Sequence, residues 1–194
     1  MRNNIEVEIR AILQKGQEEE LIKKLGDPNS EERIIDVYFC KKEAKSFKDI
    51  EMDEVGSYSL RLRKTEKNDS KIKIQMNTKI ITHKGDHNSW EEHEIEVNSL
   101  EESIAILESI GFKSYFKLDK IRKSYSIKEY NMTFNIEIIK DFGTIIEVEI
   151  ITNEEKSENS KVQIKNYLKT LGILENQIVP KSITNILMHK MSKF

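Results

Sequence analysis

The stretch Ile5-Glu-Val-Glu-Ile-Arg10 alternates aliphatic and charged residues with a period of two. Successive side chains of a β-strand point to opposite faces, so this pattern predicts a strand with one aliphatic and one charged face. The carboxylates of Glu6 and Glu8 would lie about 7 Å apart, at roughly 3.4 Å per residue. Their repulsion is about 0.6 kcal/mol in water and about 2.4 kcal/mol at an effective dielectric constant of about 20. If the charged face is enclosed, the pair requires a cation; if it is exposed, the charges are solvated surface.

The composition describes a charged chain in which the two signs almost balance. Its 194 residues include 32 Lys and Arg and 34 Asp and Glu, a formal net charge of −2, so bulk charge predicts no nucleic-acid or acidic-membrane partner. The single cysteine, Cys40, excludes an internal disulfide and fits a reducing cytoplasm. No apolar run approaches the roughly 20 residues of a membrane span, and the N-terminus has no signal-peptide core. We therefore expect a cytoplasmic protein with a single domain over residues 1–194.

Strand patterns recur along the chain and alternate with helical ones. The expected strands cover residues 5–10, 33–40, 58–64, 71–79, 93–97, 120–127, 133–139 and 144–151. Two expected helices cover residues 18–25 and 99–111. A third is expected to end near residue 171, and a fourth to begin after residue 182. Ser99 with Glu102 three residues later forms a capping box at the start of the second helix. These elements predict an α+β fold of about eight strands, mostly antiparallel.

The charged faces of the strands segregate by sign, since some strands are acidic and others basic. One interpretation is an antiparallel sheet with one solvated face. The other is a closed barrel, because at least three helices carry apolar stripes that need an apolar sheet surface to cover. Eight strands would then enclose the charged side chains with room for one small ligand. Such an interior would require a highly charged ligand and metal ions.

Hard-ion preferences indicate what that ligand would be. Carboxylates bind Mg²⁺ or Mn²⁺, which bridge phosphate oxygens, and Arg and Lys hold phosphates directly. Phosphoryl and nucleotidyl transfer enzymes commonly combine metal-binding carboxylates with a cluster of basic residues. Neither a GxxxxGK[ST] loop nor a GxGxxG fingerprint occurs, so side chains would have to hold the phosphates.

Six motifs in matching order resemble the CYTH family, also called triphosphate tunnel metalloenzymes. This family includes class IV adenylate cyclases, thiamine triphosphatases and inorganic triphosphatases. The motifs are E-x-E-x-K as Glu6-Val-Glu8-Ile-Arg10, L-R-[IL]-R as Leu60-Arg61-Leu62-Arg63, E-x-E as Glu92-His-Glu94, K-x-R as Lys120-Ile-Arg122, a late acidic strand with Glu137, and E-[IV]-E as Glu147-Val-Glu149. The segment 182–187 also resembles the closing helix of the family.

The resemblance implies a fold, a cofactor and a set of site residues. The fold would be an eight-stranded antiparallel closed β-barrel, the triphosphate tunnel, with helices packed on the outside. The cofactor would be Mg²⁺ or Mn²⁺, with Glu6, Glu8, Glu137, Glu147 and Glu149 as metal ligands. The substrate-binding residues would be Arg61, Arg63, Lys73, Lys79, Lys120, Arg122, Glu92 and Glu94. The catalytic residues would be Glu6, Glu8, Arg10 and Lys120.

Three positions depart from the family pattern. Arg10 stands where the family usually has lysine, which keeps the charge but changes its reach. The tunnel lysine could be Lys79 or Lys84; strand parity favours Lys79, whereas Lys84 keeps the glycine that follows it in the family. Trp90 stands where a basic residue often precedes the E-x-E strand, so one phosphate contact could be missing.

Two reactions fit the resemblance. A cyclase would let the ribose 3′-hydroxyl of ATP attack the α-phosphorus and release pyrophosphate, whereas an inorganic or thiamine triphosphatase would direct water at the terminal phosphorus. The Asp36-x-Tyr38-Phe39 segment and the 99–111 helix resemble the cyclase branch more, so a class IV adenylate cyclase is our first expectation. The partner would be a nucleoside triphosphate or an inorganic or organic triphosphate, bound by a monomer or homodimer.

Three further interpretations remain open. One is a non-catalytic module that binds polyphosphate or nucleotide, although such a module would not need both E-x-E pairs. Another is an ordinary barrel with a polar outer face. The third is a zinc site at His83, His87 and His93, which is disfavoured because no fourth nitrogen or sulfur ligand has suitable spacing.

Overall fold

The computed structural model describes residues 5–52, 54–67, 71–81, 84, 90–179 and 186–187, apart from the side chains of Ile5, Glu6, Trp90 and Glu154. Within these residues the helices are α1 (Gln17–Leu25), α2 (Leu100–Ser109) and α3 (Ser157–Thr170). The strands are β1 (Ile5–Ile12), β2 (Ser30–Lys41), β3 (Tyr58–Lys67), β4 (Ile72–Ile81), β5 (Trp90–Glu96), β6 (Phe112–Ile127), β7 (Met132–Ile139), β8 (Gly143–Thr152) and β9 (Ile178–Val179). The segment expected to form a last helix after residue 182 lies outside the described residues, except for 186–187.

The nine strands form one sheet in the order β5-β4-β3-β2-β6-β7-β8-β1-β9, with antiparallel neighbours. The prediction of an eight-stranded closed barrel is wrong, because among the described strands no ladder joins the two ends of this order. The two-residue strand β9 pairs with β1 at Arg10 and Ala11, and so occupies the edge of β1 that closure would use. At the other end, β5 carries four glutamates, and charge on an edge strand discourages further strand pairing. The α+β class itself agrees with the sheet and three helices.

The chain divides into two compact units. The first unit comprises Met1–Glu32 and Lys120–Asn185, and the second comprises Arg33–Asp119 and Ile186–Phe194. The expectation of a single domain over residues 1–194 stays a prediction. No helix among the described residues has both the length and the apolar character that crossing a bilayer requires.

The core of the first unit lies between the sheet and helices α1 and α3. The aliphatic faces of β1, β7 and β8 pack there against side chains from both helices, namely Val7, Ile9, Ala11, Phe134, Ile136, Val148 and Ile150 with Leu21, Ile164 and Leu168. Burial of each large aliphatic side chain contributes about 1.5–3 kcal/mol. The alternation in β1 therefore places its aliphatic residues beneath the helices and its charged residues on the opposite face of the sheet.

The core of the second unit is built in the same way around α2. Leu107 packs with buried residues of β2 and β3, namely Val37, Phe39, Leu60 and Leu62. At the start of helix α2 the Ser99 hydroxyl accepts a hydrogen bond of 3.2 Å from the Glu102 N–H, which is one of the two hydrogen bonds of the predicted capping box. It is followed by Gly111, whose φ of 97° lies in the left-handed region that glycine adopts without strain. The even-numbered aliphatic residues of β3 thus face the helix, and Arg61 and Arg63 project from the other face.

Candidate active site

The charged face of the first unit is organised by the register between β1 and β8. Glu8 lies opposite Glu149, and Arg10 lies opposite Glu147. Directly opposed residues on one face have Cβ atoms about 4.5–5.5 Å apart, and like charges so placed destabilise the sheet. The ladder therefore contains one complementary pair and one repulsive pair, two residues apart.

The complementary pair belongs to a chain of ion pairs. Arg10 Nε donates to Glu147 Oε2 at 2.9 Å, and its terminal nitrogen Nη2 donates to Glu8 Oε1. Arg122 Nη2 donates to Glu147 Oε1 at 3.3 Å. One carboxylate, Glu147, thus joins two guanidinium groups that come from different strands.

The chain of ion pairs continues to a second shared carboxylate. Glu137 Oε1 accepts hydrogen bonds from Lys120 Nζ and from Arg122 Nε, both at 2.7 Å. Glu137 is only 2% exposed and Lys120 only 6%. A buried charge is tolerated when it is paired and hydrogen-bonded, so Glu137 fixes both cations in place.

The network changes the acidity of its central members. Burial opposes ionisation of Glu147, but the charges of Arg10, Arg122 and Lys120 outweigh it and lower the pKa of this carboxyl from 4.5 to about 2. Burial also works against the charged form of Arg10, whereas Glu147 and Glu8 favour it, and the net effect raises the pKa of Arg10. These groups are therefore charged throughout the physiological range.

Two uncharged residues that the sequence analysis missed complete this face. Asn135 Nδ2 donates to Glu149 Oε1 at 2.6 Å, and Ser124 Oγ donates to Asn135 Oδ1 at 2.7 Å. Asn135 is 1% exposed. An asparagine or serine on a strand is unremarkable in sequence. The one sequence signal is that Asn135 lies two residues before Glu137 on β7, which places both side chains on the same face of the strand. The pair orients the carboxylate of Glu149.

The donors on this face fit a hard divalent cation. Glu8 and Glu149 are opposed carboxylates whose repulsion a cation would relieve, and Mg²⁺ is commonly bound by one or two carboxylates together with substrate phosphates. Glu6 lies on β1 with the same parity, although its side chain is outside the described part. Among the described side chains no group of three or more His, Cys, Asp or Glu residues forms a ready-made metal site. The remaining ligands would therefore have to come from Glu6, substrate or water.

The second unit holds a separate cluster around Asp36, a residue to which the sequence analysis gave no role in the site. Its carboxylate accepts two hydrogen bonds from Arg63, Nε to Oδ1 at 2.7 Å and Nη2 to Oδ2 at 2.8 Å. Arg61 Nε lies 3.9 Å from Asp36 Oδ1 and, in the part of the chain that the structure describes, this buried nitrogen has no hydrogen-bond partner. The signal that could have identified Asp36 is its single charge within the apolar run Ile34-Ile-Asp-Val-Tyr-Phe-Cys40.

The remaining candidate residues of the second unit lie on β4 and β5. Lys79 Nζ is 3.6 Å from Glu92 Oε2 across the ladder. Asn77 donates to Glu92, and Gln75 donates to Glu94. These side chains share the face of Arg61 and Arg63, because Arg61 lies opposite Asn77 and Arg63 opposite Gln75.

Other residues singled out by sequence lie apart from these clusters. Lys73 is exposed on β4 opposite Thr65. Lys84 is exposed and pairs with Glu54 at 2.6 Å, so of the two candidate tunnel lysines only Lys79 lies within a strand. His93 is exposed beside Glu91 at 3.0 Å. His83, His87 and the side chain of Trp90 fall outside the described residues.

Solved structures from distant organisms share this fold. The PH1819 protein of Pyrococcus horikoshii OT3 superposes with a TM-score of 0.74 at 19% identity, covering 95% of this chain and 99% of that one. A candidate adenylate cyclase from Vibrio parahaemolyticus superposes with a TM-score of 0.70 at 15% identity, covering 96% of this chain and 99% of that one. HpAC1 from Hippeastrum superposes with a TM-score of 0.66 at 18% identity, covering 96% of this chain and 95% of that one. It is a candidate adenylyl cyclase described as having a dominant triphosphatase activity. At these identities the likeness establishes the fold.

The family is established by the sequence itself. No curated protein matches this chain. The family model of the CYTH domain, however, matches residues 4–183, which is nearly the whole chain and includes all six motifs. By this match and by the order of its motifs, the chain belongs to the CYTH domain family.

Proposed function

We propose that this protein is a divalent-metal-dependent enzyme that acts on a triphosphate. The observation that carries the proposal is the network of the first unit, in which Glu137 and Glu147 hold Lys120, Arg122 and Arg10 in fixed positions beside the opposed carboxylates Glu8 and Glu149. A triphosphate carries about four negative charges, and fixed cations next to a carboxylate pair suit an anion that arrives with a metal ion.

The cations would bind and orient the substrate. Arg10 and Arg122 are pre-oriented through Glu147, so their guanidinium groups need little reorganisation when phosphate oxygens arrive. Lys120 donates a hydrogen bond to Glu137, and its ammonium group supplies a compact positive charge at a fixed position.

Glu8 and Glu149, with Glu6 on the same strand face, would hold Mg²⁺ or Mn²⁺. When bound, the metal supplies charge neutralisation at the phosphate oxygens. Asn135 keeps the Glu149 carboxylate oriented through its 2.6 Å hydrogen bond. Glu137 and Glu147 serve the cations in this arrangement, although both motifs also match metal-binding positions of the family.

Two reactions are candidates, and different relatives support each. Conversion of ATP to cAMP and pyrophosphate is our first candidate, supported by the Asp36-x-Tyr38-Phe39 segment and by the shared fold of the Vibrio parahaemolyticus candidate cyclase. Hydrolysis of the terminal phosphate of an inorganic or organic triphosphate is the second, supported by the shared fold of HpAC1 and its described activity.

One incubation panel tests the proposal and separates the two reactions. ATP, tripolyphosphate and thiamine triphosphate are each incubated with Mg²⁺ or Mn²⁺, and cAMP, pyrophosphate and orthophosphate are resolved. Formation of cAMP with pyrophosphate selects the cyclase, and release of orthophosphate from tripolyphosphate or thiamine triphosphate selects the hydrolase. The Glu149→Gln variant should lose activity, whereas Glu175→Gln, an exposed surface change, should retain it. Absence of turnover with every substrate would refute the enzymatic role.

A further inference from the structure

Asp36 is the most deeply buried acidic side chain of the second unit among the described residues, at 1% exposure. It lies on β2 within an apolar run, and both of its carboxylate oxygens accept hydrogen bonds from the fork of Arg63. Such a bidentate pair fixes the plane of the guanidinium as well as its position. Arg63 is therefore held in one orientation by a residue that solvent does not reach.

Arg61 is held differently by the same carboxylate. Its Nε lies 3.9 Å from Asp36 Oδ1, close enough for attraction between the charges but too far for a hydrogen bond. This nitrogen is buried, and no described group pairs with it. An unpaired buried donor is costly, and it is commonly explained by a ligand or water that supplies the acceptor.

We propose that Asp36 is a positioning residue for triphosphate binding, which locks Arg63 and keeps Arg61 beside it with its Nε–H directed to a phosphate oxygen. The inference rests on the proposed function, since it assigns a task to a residue that would not touch the substrate. One carboxylate beside two guanidinium groups leaves a net positive charge, so the cluster still attracts an anion.

The sign of the mutational effect separates positioning from simple electrostatics. The negative charge of Asp36 repels a phosphate anion, so if charge alone mattered, Asp36→Asn would tighten triphosphate binding. If Asp36 acts by orientation, the same change removes the contact that orients two arginine side chains, which must then be immobilised on binding. That cost corresponds to about two- to tenfold in affinity for each rotamer-rich side chain.

The experiment measures the Kd of tripolyphosphate in the presence of Mg²⁺ by isothermal titration calorimetry. Asp36→Asn should weaken binding about tenfold. Asp36→Glu keeps the charge but displaces the carboxylate by one methylene, and should weaken binding about two- to fivefold. The matched control is Asp119→Asn. Asp119 forms a similar bidentate pair with Arg33, from Nε to Oδ1 at 3.1 Å and from Nη2 to Oδ2 at 2.8 Å, but the Arg33 side chain is 51% exposed. This control should bind as the wild type does.

Two further readouts exclude a merely structural effect. The affinity for Mn²⁺ alone, followed by electron paramagnetic resonance, and the far-UV circular dichroism spectrum should stay unchanged in Asp36→Asn. Wild-type affinity or tighter binding in a folded Asp36→Asn would overturn the inference while leaving the proposed function intact. If Asp36→Asn does not fold, the affinity of Asp36→Glu for tripolyphosphate decides the question. Wild-type affinity in Asp36→Glu would then overturn the inference. Lack of tripolyphosphate binding by the wild type would overturn both.

Discussion

Replacing Glu147 by glutamine tests the network of the first unit directly. The substitution keeps the size of the side chain but removes the carboxylate that joins Arg10 and Arg122. The two guanidinium groups, each about one-fifth exposed, would then face each other across a neutral amide. We expect the free energy of unfolding at pH 7 to fall by about 3 kcal/mol.

Two independent arguments give this magnitude. The pKa of Glu147 falls from 4.5 to about 2 on folding, and that difference corresponds to about 3 kcal/mol in favour of the folded state. Removal of one partner from a buried ion pair typically costs about 3–5 kcal/mol, because the remaining charge is left uncompensated. The lower end of that range applies, because the Glu147 side chain is 15% exposed. In addition, Arg10 keeps its hydrogen bond to Glu8 and Arg122 keeps its hydrogen bond to Glu137, so neither cation loses every partner.

The pH dependence provides a stricter test than the size of the effect. A carboxyl whose pKa is lowered on folding contributes its full stabilisation above the unfolded value of 4.5, and loses it as the pH falls towards about 2. Wild type and Glu147→Gln should therefore differ by a constant amount between pH 5 and 7 and converge as the solution is acidified. The variant lacks the titrating group, so its own curve should be flatter in this range.

The assay is urea unfolding followed by far-UV circular dichroism in EDTA, repeated from pH 7 down to the lowest pH at which both proteins fold. Thermal melts should show a midpoint lower by about 6–12 °C at pH 7. Glu175→Gln is the matched control, because Glu175 pairs with Lys165 at 2.8 Å but is 75% exposed, and its loss should cost less than about 1 kcal/mol. Equal stability of Glu147→Gln and wild type at pH 7, or a gap that does not narrow below pH 4.5, would refute the reasoning.

Three other predictions follow from the core, the cysteine and the metal. Leu168→Ala should cost about 2–5 kcal/mol in urea unfolding, because this α3 side chain is 1% exposed, whereas Val162→Ala on the exposed side of the same helix should cost less than about 1 kcal/mol. Cys40 is 3% exposed and burial raises the pKa of its thiol, so Ellman's reagent should label it at least about tenfold more slowly in the native than in the unfolded chain; equal rates would contradict its burial. Treatment with EDTA should abolish turnover of the triphosphate substrate, and added Mg²⁺ should restore it; metal-independent turnover would exclude the proposed role of Glu8 and Glu149.

The sequence predicted which face of each strand carries charge, because parity is a local property. The aliphatic residues of β1 do pack beneath helices, and Glu8 and Arg10 do share the opposite face. Register is not local, since it depends on how two distant strands align. Nothing in Ile5–Arg10 alone indicates that Arg10 would meet Glu147 while Glu8 would meet Glu149. The motifs therefore predicted which residues share the charged face but not which residues they pair with.

Closure of the sheet could not be predicted from strand patterns either. Eight alternating segments are compatible with a barrel, but the edge of β1 is occupied by Ile178 and Val179, a pair too short to show any periodicity. The first part of β6 was missed for a related reason, because Phe112–Asp119 mixes aromatic, basic and small residues without regular alternation. Both features depend on tertiary pairing that overrides the local signal.

The ion-pair chain explains why the charged face needs more carboxylates than a metal ion could use. Arg10, Lys120 and Arg122 are matched by Glu8, Glu137 and Glu147, so these six groups sum to zero charge before any ligand arrives. A cluster of unmatched cations would repel itself and lose its geometry, whereas carboxylates placed behind and between the cations hold them at fixed positions. Glu149, oriented by Asn135, adds a further negative charge on the same face, and Glu6 shares its strand parity. A divalent cation held beside Glu149 would compensate this charge, so the charge pattern supports the proposal of a substrate that binds together with its metal.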